Sequence, residues 1–220
     1  MNRISKNFFS VMLAVLFAVT PMFAQKDAKA KELLDKSSAM LNQSGGISAS
    51  FTININDEAN KIKRSFPGQI FVKGAKFYLD TPDQAVYFDG KTQWTYEKAV
   101  EEVTIMEPQP QDIRMLNPVS VFDLYKTDCD YKYKGEKTNS QKQKVQEISL
   151  FPKNNNEGIK QVDLQINPSD WMPVFFLITN KDKSEYRIFI NKYQTQLNLP
   201  DSQFVFDRKK YPQAEVNDLR

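Results

Sequence analysis

The sequence predicts a mainly β, α+β protein: an unclosed antiparallel half-barrel of about eleven strands, with helices as a lid over a hydrophobic cavity. Three observations predict it. Apolar residues alternate with polar ones along most of the chain, glycine and proline turn signals separate these runs, and two segments show helical spacing instead. A sheet of that size curls, either into a barrel closed around its own side chains or into an open sheet covered by helices. Two helical segments are enough to cover the concave face, which favours the open form.

The first helix is predicted from Ala28 to Leu41, where apolar residues recur every three or four positions. Asp27 is a suitable N-cap and Gly45-Gly46 a suitable stop. A second segment, between 110 and 125, has apolar residues spaced for one or two short helical turns. These two segments are the predicted lid.

Strands are predicted wherever the apolar period is two, beginning with Ile47 to Ile55. Asp89-Gly90 between two apolar-aromatic runs predicts a tight hairpin, and Pro67-Gly68 predicts a turn. The further predicted strands lie near 61–66, 69–73, 76–80, 85–89, 92–97, 99–106, 129–134, 145–151, 159–166, 173–180, 184–194 and 203–206.

The amino terminus has the three parts of a secretory signal peptide. Arg3 and Lys6 precede an apolar run, and Phe23-Ala24-Gln25 provides a cleavage site after Ala24. An uncleaved membrane anchor is the alternative, but the apolar run is shorter than the ~20 residues a spanning helix needs. We therefore expect a signal peptide at 1–24, one domain at 25–220 and a location in the periplasm.

Composition excludes several classes of chemistry. The chain has no histidine, which excludes Ser-His-Asp catalysis and histidine-bound zinc, and its single cysteine, Cys129, excludes an intrachain disulfide. The net charge of +3 falls to +1 without the leader, which contains Arg3 and Lys6 and no acid. A near-neutral chain argues against nucleic acid as a partner. The lysine-rich stretch 126–144 is read as a solvated strand and loop, with a docking surface as the alternative.

Candidate catalytic groups are few. Glu101 and Glu102 are adjacent in a predicted strand, so they point to opposite faces and cannot act as an acid and base pair. Asp128 and Asp130 share a face but lack the ligand set of a calcium site. Without a nucleophile elbow or a glycine-rich phosphate loop, the sequence predicts no catalytic residue, no cofactor and no metal.

Three segments carry a resemblance to a known family. The sequences ISASFT from Ile47, GQIFVK from Gly68 and DGKTQWTY from Asp89 resemble the periplasmic outer-membrane lipoprotein carrier family, LolA. WMP from Trp171 and FVF from Phe204 resemble its carboxyl-terminal half. The resemblance implies an unclosed half-barrel with a helical lid over a hydrophobic cavity.

The resemblance also implies a task and partners. Such carriers collect acylated lipoproteins released by an inner-membrane ABC-type complex, shield the acyl chains in water and pass them to an outer-membrane acceptor. One long acyl chain in water costs on the order of 10 kcal/mol at ~0.8 kcal/mol per methylene. A monomer with an apolar interior would recover most of that free energy.

The predicted lipid-binding residues are apolar residues of the concave face and the lid. On the face they are Phe51, Ile53, Ile70, Val72, Phe77, Leu79, Trp94 and Met106, and on the lid Leu34, Met115, Leu116 and Phe122. For each of them simple core packing is the alternative. The resemblance places Phe77 at the cavity mouth.

The family arginine that tethers lid to sheet aligns with Gly74, which has no side chain. Lys73 and Lys76 are the nearest substitutes, although Lys73 should face away from Ile70 and Val72. The lid is therefore expected to be held differently here.

Three rival functions remain open. The first is a periplasmic sensor or regulator on the same fold, and the second is a carrier of another lipid. The third is a hydrolase built on carboxylates, for which the sequence offers no grouping of residues.

Overall fold

The computed structural model describes residues 27–42, 45–108, 125–127, 129–153 and 158–220. One helix, α1 (Ala28–Asn42), precedes the sheet. The strands are β1 (Ile47–Asp57), β2 (Ile62–Lys73), β3 (Lys76–Asp80), β4 (Gln84–Phe88), β5 (Gln93–Glu97), β6 (Glu102–Met106), β7 (Cys129–Thr138), β8 (Lys144–Pro152), β9 (Ile159–Ile166), β10 (Pro173–Asn180), β11 (Glu185–Gln194) and β12 (Glu215–Asp218). Short 3-10 helices lie at Asp201–Phe204 and Arg208–Lys210.

All twelve of these strands form one sheet, in the order β12-β6-β5-β4-β3-β2-β1-β11-β10-β9-β8-β7. Neighbours are antiparallel except β12 and β6, which run parallel. The two end strands, β12 and β7, are not paired with each other, so the sheet is not closed. The predicted unclosed half-barrel is confirmed, with twelve strands in place of about eleven.

The helix α1 begins where the sequence predicts. The Asp27 carboxylate accepts hydrogen bonds from the backbone N–H groups of Lys29 (3.0 Å) and Ala30 (3.1 Å), as an N-cap does. Leu33 and Leu34 are buried on one side of the helix. The exposed side carries ion pairs such as Lys31–Asp35 (2.5 Å), which add a few tenths of a kcal/mol each.

The hairpin between β4 and β5 turns at Asp89-Gly90, as predicted. The Asp89 carboxylate accepts from the backbone N–H groups of Lys91 (2.9 Å) and Thr92 (2.8 Å). Gly90 has a φ of +103°, which favours glycine. The local signal was therefore sufficient to fix this turn.

Two predicted features of the sheet are wrong. The strand β2 runs unbroken through Pro67-Gly68, which is therefore not a turn. Pro67 pairs only with Thr52 of β1, because β3 pairs with β2 only as far as Gln69, so its missing N–H costs little at this one-sided position. The predicted last strand at 203–206 is instead the end of a 3-10 helix followed by extended chain.

The sheet has two apolar faces, which we call the inner and the outer face. The inner face, together with α1, forms a large hydrophobic cluster that includes Leu33, Phe77 and Leu164. The outer face carries a second cluster around Tyr87 and Tyr96, covered by the carboxyl-terminal segment 199–216. The strands β3 and β4 therefore contribute side chains to both clusters.

Candidate functional site

The inner face of β2, β3 and β4 is built from two rows of apolar side chains. Val72, Phe77 and Phe88 lie opposite one another across the three strands, and the ring centroids of Phe77 and Phe88 are 5.5 Å apart. Ile70 and Leu79 belong to the next row. Phe77 is fully buried at 0 % exposure, whereas Leu79 is half-buried.

The inner face continues through the second half of the sheet. Phe51 and Ile53 of β1 lie opposite Ile190 and Ile188 of β11, and Ile188 lies opposite Phe176 of β10. Phe51 and Phe176 are buried, while the three isoleucines are half-buried. The apolar surface therefore extends through neighbouring strands from β4 to β10, and part of it is not fully covered by the protein itself.

The helix α1 is fixed to this face by polar contacts along its length. The Tyr125 hydroxyl donates to the Asp35 carboxylate (2.6 Å), and the backbone N–H of Tyr133 donates to Asp27 (3.0 Å). The Lys36 ammonium lies 4.3 Å from the ring centroid of Trp171, a cation–π contact. These contacts hold the buried side of α1 against the inner face.

The Asp35 and Tyr125 pair has altered pKa values. Burial raises the pKa of the Asp35 carboxyl, but the hydrogen bonds from Lys31 and Tyr125 outweigh it, and the net pKa lies below the ordinary 3.8. Burial and the bond to Asp35 raise the pKa of Tyr125. The carboxylate is therefore the charged partner of this contact at neutral pH.

Most of the predicted lining residues lie on the inner side. Leu34, Phe51, Ile70, Val72 and Phe77 are buried in the inner cluster, and Ile53 and Leu79 pack half-buried against it. Met106 of β6 lies opposite Gln93 of β5, and Gln93 lies opposite Phe88 of β4. Met106 is therefore on the inner face, at the end of the row that contains Phe88. Met115, Leu116 and Phe122 lie outside the described residues. That these side chains bind lipid remains a prediction.

The prediction for Trp94 is wrong. Its register partners are Tyr87 and Ile105, and it packs half-buried against the outer cluster. Because side chains alternate along a strand, Gln93 and Thr95 take the inward positions of β5. The tryptophan in the DGKTQWTY segment is therefore not a lining residue of the inner face.

The predicted lipid-binding residues also leave out several side chains of the inner face. Phe88 and Val86 of β4 complete the rows of Phe77 and Leu79, and Leu164 and Phe176 extend the face through β9 and β10. The alternation of apolar residues in β9 was a usable signal. It could not show which face of the sheet would be the inner one.

The two lysines beside the β2–β3 turn, which were the nearest substitutes for the family arginine, contact a different part of the protein. Gly74 lies in that turn with a φ of +59°. The Lys73 ammonium donates to the backbone carbonyl of Leu199 (2.7 Å) and pairs with Asp201 (3.2 Å), and Lys76 pairs with Asp201 (2.8 Å). Both lysines therefore bind the carboxyl-terminal segment.

The adjacent acids Glu101 and Glu102 lie where the turn before β6 meets the strand. Glu101 is in a turn, with a φ of +55°, and accepts a hydrogen bond from Gln213 (3.0 Å), so it is not beside Glu102 in a strand. Among the described residues, no three of the His, Cys, Asp and Glu side chains are placed to hold a metal ion. Asp128 lies outside them.

No helix within the described ranges has both the length and the apolar character needed to cross a membrane.

An unclosed sheet with an apolar inner face and a helix packed on it defines an open half-barrel protein. Residues 20–181 match the family model described as outer membrane lipoprotein carrier protein LolA. The chain belongs to this family.

Individual relatives are distant. The chain is 33% identical over 105 residues to an outer-membrane lipoprotein carrier protein of Idiomarina loihiensis, covering 46% of this chain and 50% of that protein. It is 24% identical over 202 residues to an uncharacterized protein of Methanocaldococcus jannaschii, covering 89% of this chain and 55% of that one. The chain thus spans about half the length of these curated relatives.

The fold is shared with a solved structure. The crystal structure of an uncharacterized conserved protein from Thermus thermophilus superimposes with a TM-score of 0.58 at 14% identity. The match covers 86% of this chain and 99% of that one. At that identity the likeness concerns the fold alone.

Proposed function

We propose that this protein is a periplasmic carrier that binds the acyl chains of lipoproteins on the inner face of its sheet. In this role it takes cargo from an inner-membrane ABC-type releasing complex and delivers it to an outer-membrane acceptor. No covalent bond is made or broken. Membership of the LolA family supports the proposal.

The observation that carries the proposal is the half-buried apolar surface of the inner face. Ile53 of β1 lies opposite Ile188 of β11, Ile190 lies two residues further along β11, and none of the three is fully covered. Apolar surface of this kind gains about 25 cal/mol for each Å² that a ligand removes from water. An acyl chain is the ligand class that matches a wide apolar surface.

The test compares two half-buried apolar positions on opposite faces of adjacent strands. Ile188 of β11 faces inward, and Leu177 of β10, opposite Arg187, faces outward. We expect Ile188→Asn to bind a synthetic triacylated lipopeptide about tenfold more weakly, because a polar group would meet the acyl chain. Leu177→Asn should bind like the wild type. The measurement is a fluorescence titration of each purified variant.

Ile188 is preferred to Phe77 for this test. Phe77 is fully buried, so a charge introduced there would unfold the protein before its role in binding could be measured. Failure of the wild type to bind the lipopeptide, or equal weakening by both substitutions, would contradict the proposal.

Mass spectrometry of the purified protein separates the remaining alternatives. A lipoprotein carrier should retain acylated peptide, and a carrier of another lipid should retain phospholipid or fatty acid. A sensor should instead retain a protein partner.

A further inference from the structure

Gln93 is a buried amide among apolar neighbours on the inner face. Gln93 of β5 lies in register between Phe88 and Met106, and only 6% of its surface is exposed. Its side-chain nitrogen donates to the Thr95 hydroxyl (3.1 Å). Its side-chain oxygen is buried and has no hydrogen-bond partner in the described part of the chain.

Folding alone does not account for this glutamine. Buried polar groups in native proteins are nearly always hydrogen-bonded, because an unpartnered one loses its contacts with water and gains nothing. Turning the side-chain amide round would not help, since the Thr95 hydroxyl can satisfy only one end in either orientation. Methionine would fill the same space at this position without that cost.

Two threonines share the inner side of β5 and β6 with Gln93. Thr95 lies opposite Thr104 of β6, and both threonines are half-buried and inward-facing by register. Elsewhere on the buried side of α1, the Ser37 hydroxyl also lacks a partner among the described residues and is 0 % exposed. The inner side therefore has a polar corner at β5 and β6 next to its apolar rows.

We propose that Gln93, with Thr95 and Thr104, forms a polar subsite for the N-acyl amide linkage of an acylated cargo. The subsite rests on the proposed function, because it requires the acyl chain to lie along the inner face. An amide N–H would donate to the free Gln93 oxygen, and the amide carbonyl would accept from a threonine hydroxyl. An ester has no hydrogen to donate and would leave the Gln93 oxygen unpartnered.

The position of the subsite fits this assignment. Phe88 and Phe77 continue the row of Gln93 as buried side chains, and the half-buried Leu79 lies in the adjacent row of Thr95 and Val86, so an acyl chain whose linkage lies at Gln93 would leave the subsite along apolar neighbours. The subsite would then fix which end of the ligand lies at β5 and β6. It would also favour N-acylated cargo over ligands that carry esters alone.

The experiment uses two probes that differ only in the linkage, N-methyldodecanamide and methyl dodecanoate. We expect the wild type to bind the amide about three- to tenfold more tightly than the ester, the range of one net hydrogen bond. In Gln93→Met this preference should vanish, with the ester bound at least as well as by the wild type. Isothermal titration of both probes gives the ratio for each variant.

Gln69→Met is the matched control. Gln69 is exposed and lies opposite Asp80, on the outer face of β2 and β3, so the substitution changes the same side chain away from the inner face. It should keep the wild-type preference. Gln93→Met should also keep or raise the urea midpoint, because the substitution removes an unpartnered buried group. An unchanged or higher midpoint shows that any loss of amide preference is not caused by unfolding.

The outcomes that overturn the inference are specific. If the wild type bound the two probes equally, the proposed polar subsite would be wrong, and the proposed apolar site would stand. This is the result expected when a bound water is the partner of the Gln93 oxygen. If Gln93→Met kept the preference for the amide over the ester, the assignment of the subsite to Gln93 would also be wrong. Binding of neither probe would overturn the subsite together with the proposed function.

Discussion

Residues that are adjacent in the sequence of β3, β4 and β5 point to opposite faces of the sheet, and the two faces carry chemically different side chains. Phe77 and Phe88 face inward, whereas Tyr78 and Tyr87, their neighbours in sequence, face outward. The inner side chains of the apolar rows, Phe77, Leu79, Val86 and Phe88, are aliphatic or phenylalanine. The outer side chains include the phenols of Tyr78, Tyr87 and Tyr96, whose rings pack while their hydroxyls remain within reach of polar partners.

The outer face is covered by the protein's own carboxyl-terminal segment. Tyr211 lies 4.4 Å from Tyr96 and 5.2 Å from Phe206 between ring centroids, and Tyr78 stacks on Tyr87 at 4.5 Å. Burial and the contact with Tyr211 raise the pKa of Tyr87, so its hydroxyl stays protonated. The outer cluster is therefore a core with a fixed covering.

A cavity of about 530 Å³ remains on this outer side, between the tyrosines and the segment that covers them. Its walls include Ser202, Gln203, Asp207 and Lys210. An acyl chain placed there would deprive these polar groups of water without replacing their hydrogen bonds. The outer face therefore has a fixed covering of its own, and the half-buried inner face is the one that we propose for a lipid.

The largest expected effect comes from one truncation on each face. Phe77→Ala removes a fully buried inner ring and should lower the free energy of unfolding by about 3–5 kcal/mol. Tyr211→Ala removes a half-buried outer ring and should cost about 1–3 kcal/mol. Urea denaturation measures both losses.

Lipopeptide binding by the same two variants sharpens the comparison. At a temperature where both are folded, Phe77→Ala should bind more weakly and Tyr211→Ala should bind like the wild type. Weaker binding by Tyr211→Ala alone would show that the faces have been assigned the wrong roles.

Local sequence signals predicted the elements whose partners are near in the chain. The Asp89-Gly90 turn, the capping of α1 by Asp27 and the alternation in β1 each depend on a few consecutive residues. Hydrophobic period and turn chemistry are enough for such elements. The half-barrel followed from their number and order.

The incorrect predictions concern residues whose packing or pairing partners are distant in the sequence. Trp94 was expected to face inward because the sequence did not show that the segment around Phe206 and Tyr211 would cover the opposite face. The alternation of Phe204, Val205 and Phe206 predicted a strand, but none of the described strands pairs with these residues. The strand β12 has only Val216 as a strong apolar residue, so its pairing with β6 had no sequence signal.

A smaller effect is expected at Gly68, which marks a close approach within the inner cluster. Gly68 lies opposite Phe51, and a Cβ at this position would come within 2.3 Å of the Phe51 ring. Gly68→Ala should lower the free energy of unfolding by about 1–3 kcal/mol, since the buried ring must move. The shift in urea midpoint measures this loss.

Gly45→Ala is the control for that substitution. A Cβ at Gly45 would meet only the Leu197 carbonyl oxygen at 3.6 Å, an ordinary contact, so stability should change by less than about 0.5 kcal/mol. Equal losses at both positions would mean that the Phe51 ring does not restrict Gly68.

The smallest expected effect concerns the clamp between the β2–β3 turn and the outer covering. The hydrogen bond from Lys76, and then that from Lys73, lower the pKa of the Asp201 carboxyl below its ordinary 3.8. A carboxyl with a lowered folded-state pKa stabilises the fold above its unfolded pKa, and this contribution is lost as the pH falls through the folded value. The clamp should therefore weaken only in acid.

Titration of Asp201 by carbon NMR tests this clamp. Lys76→Met should raise the Asp201 pKa towards 3.8, and added salt should reduce the difference because the three side chains are solvent-accessible. Lys98→Met, which removes the separate ion pair with Asp80, should leave the Asp201 pKa unchanged. Since the clamp holds the outer covering, Lys76→Met should also leave lipopeptide binding unchanged. Altered binding would place these lysines in control of the inner face, where the family tether acts.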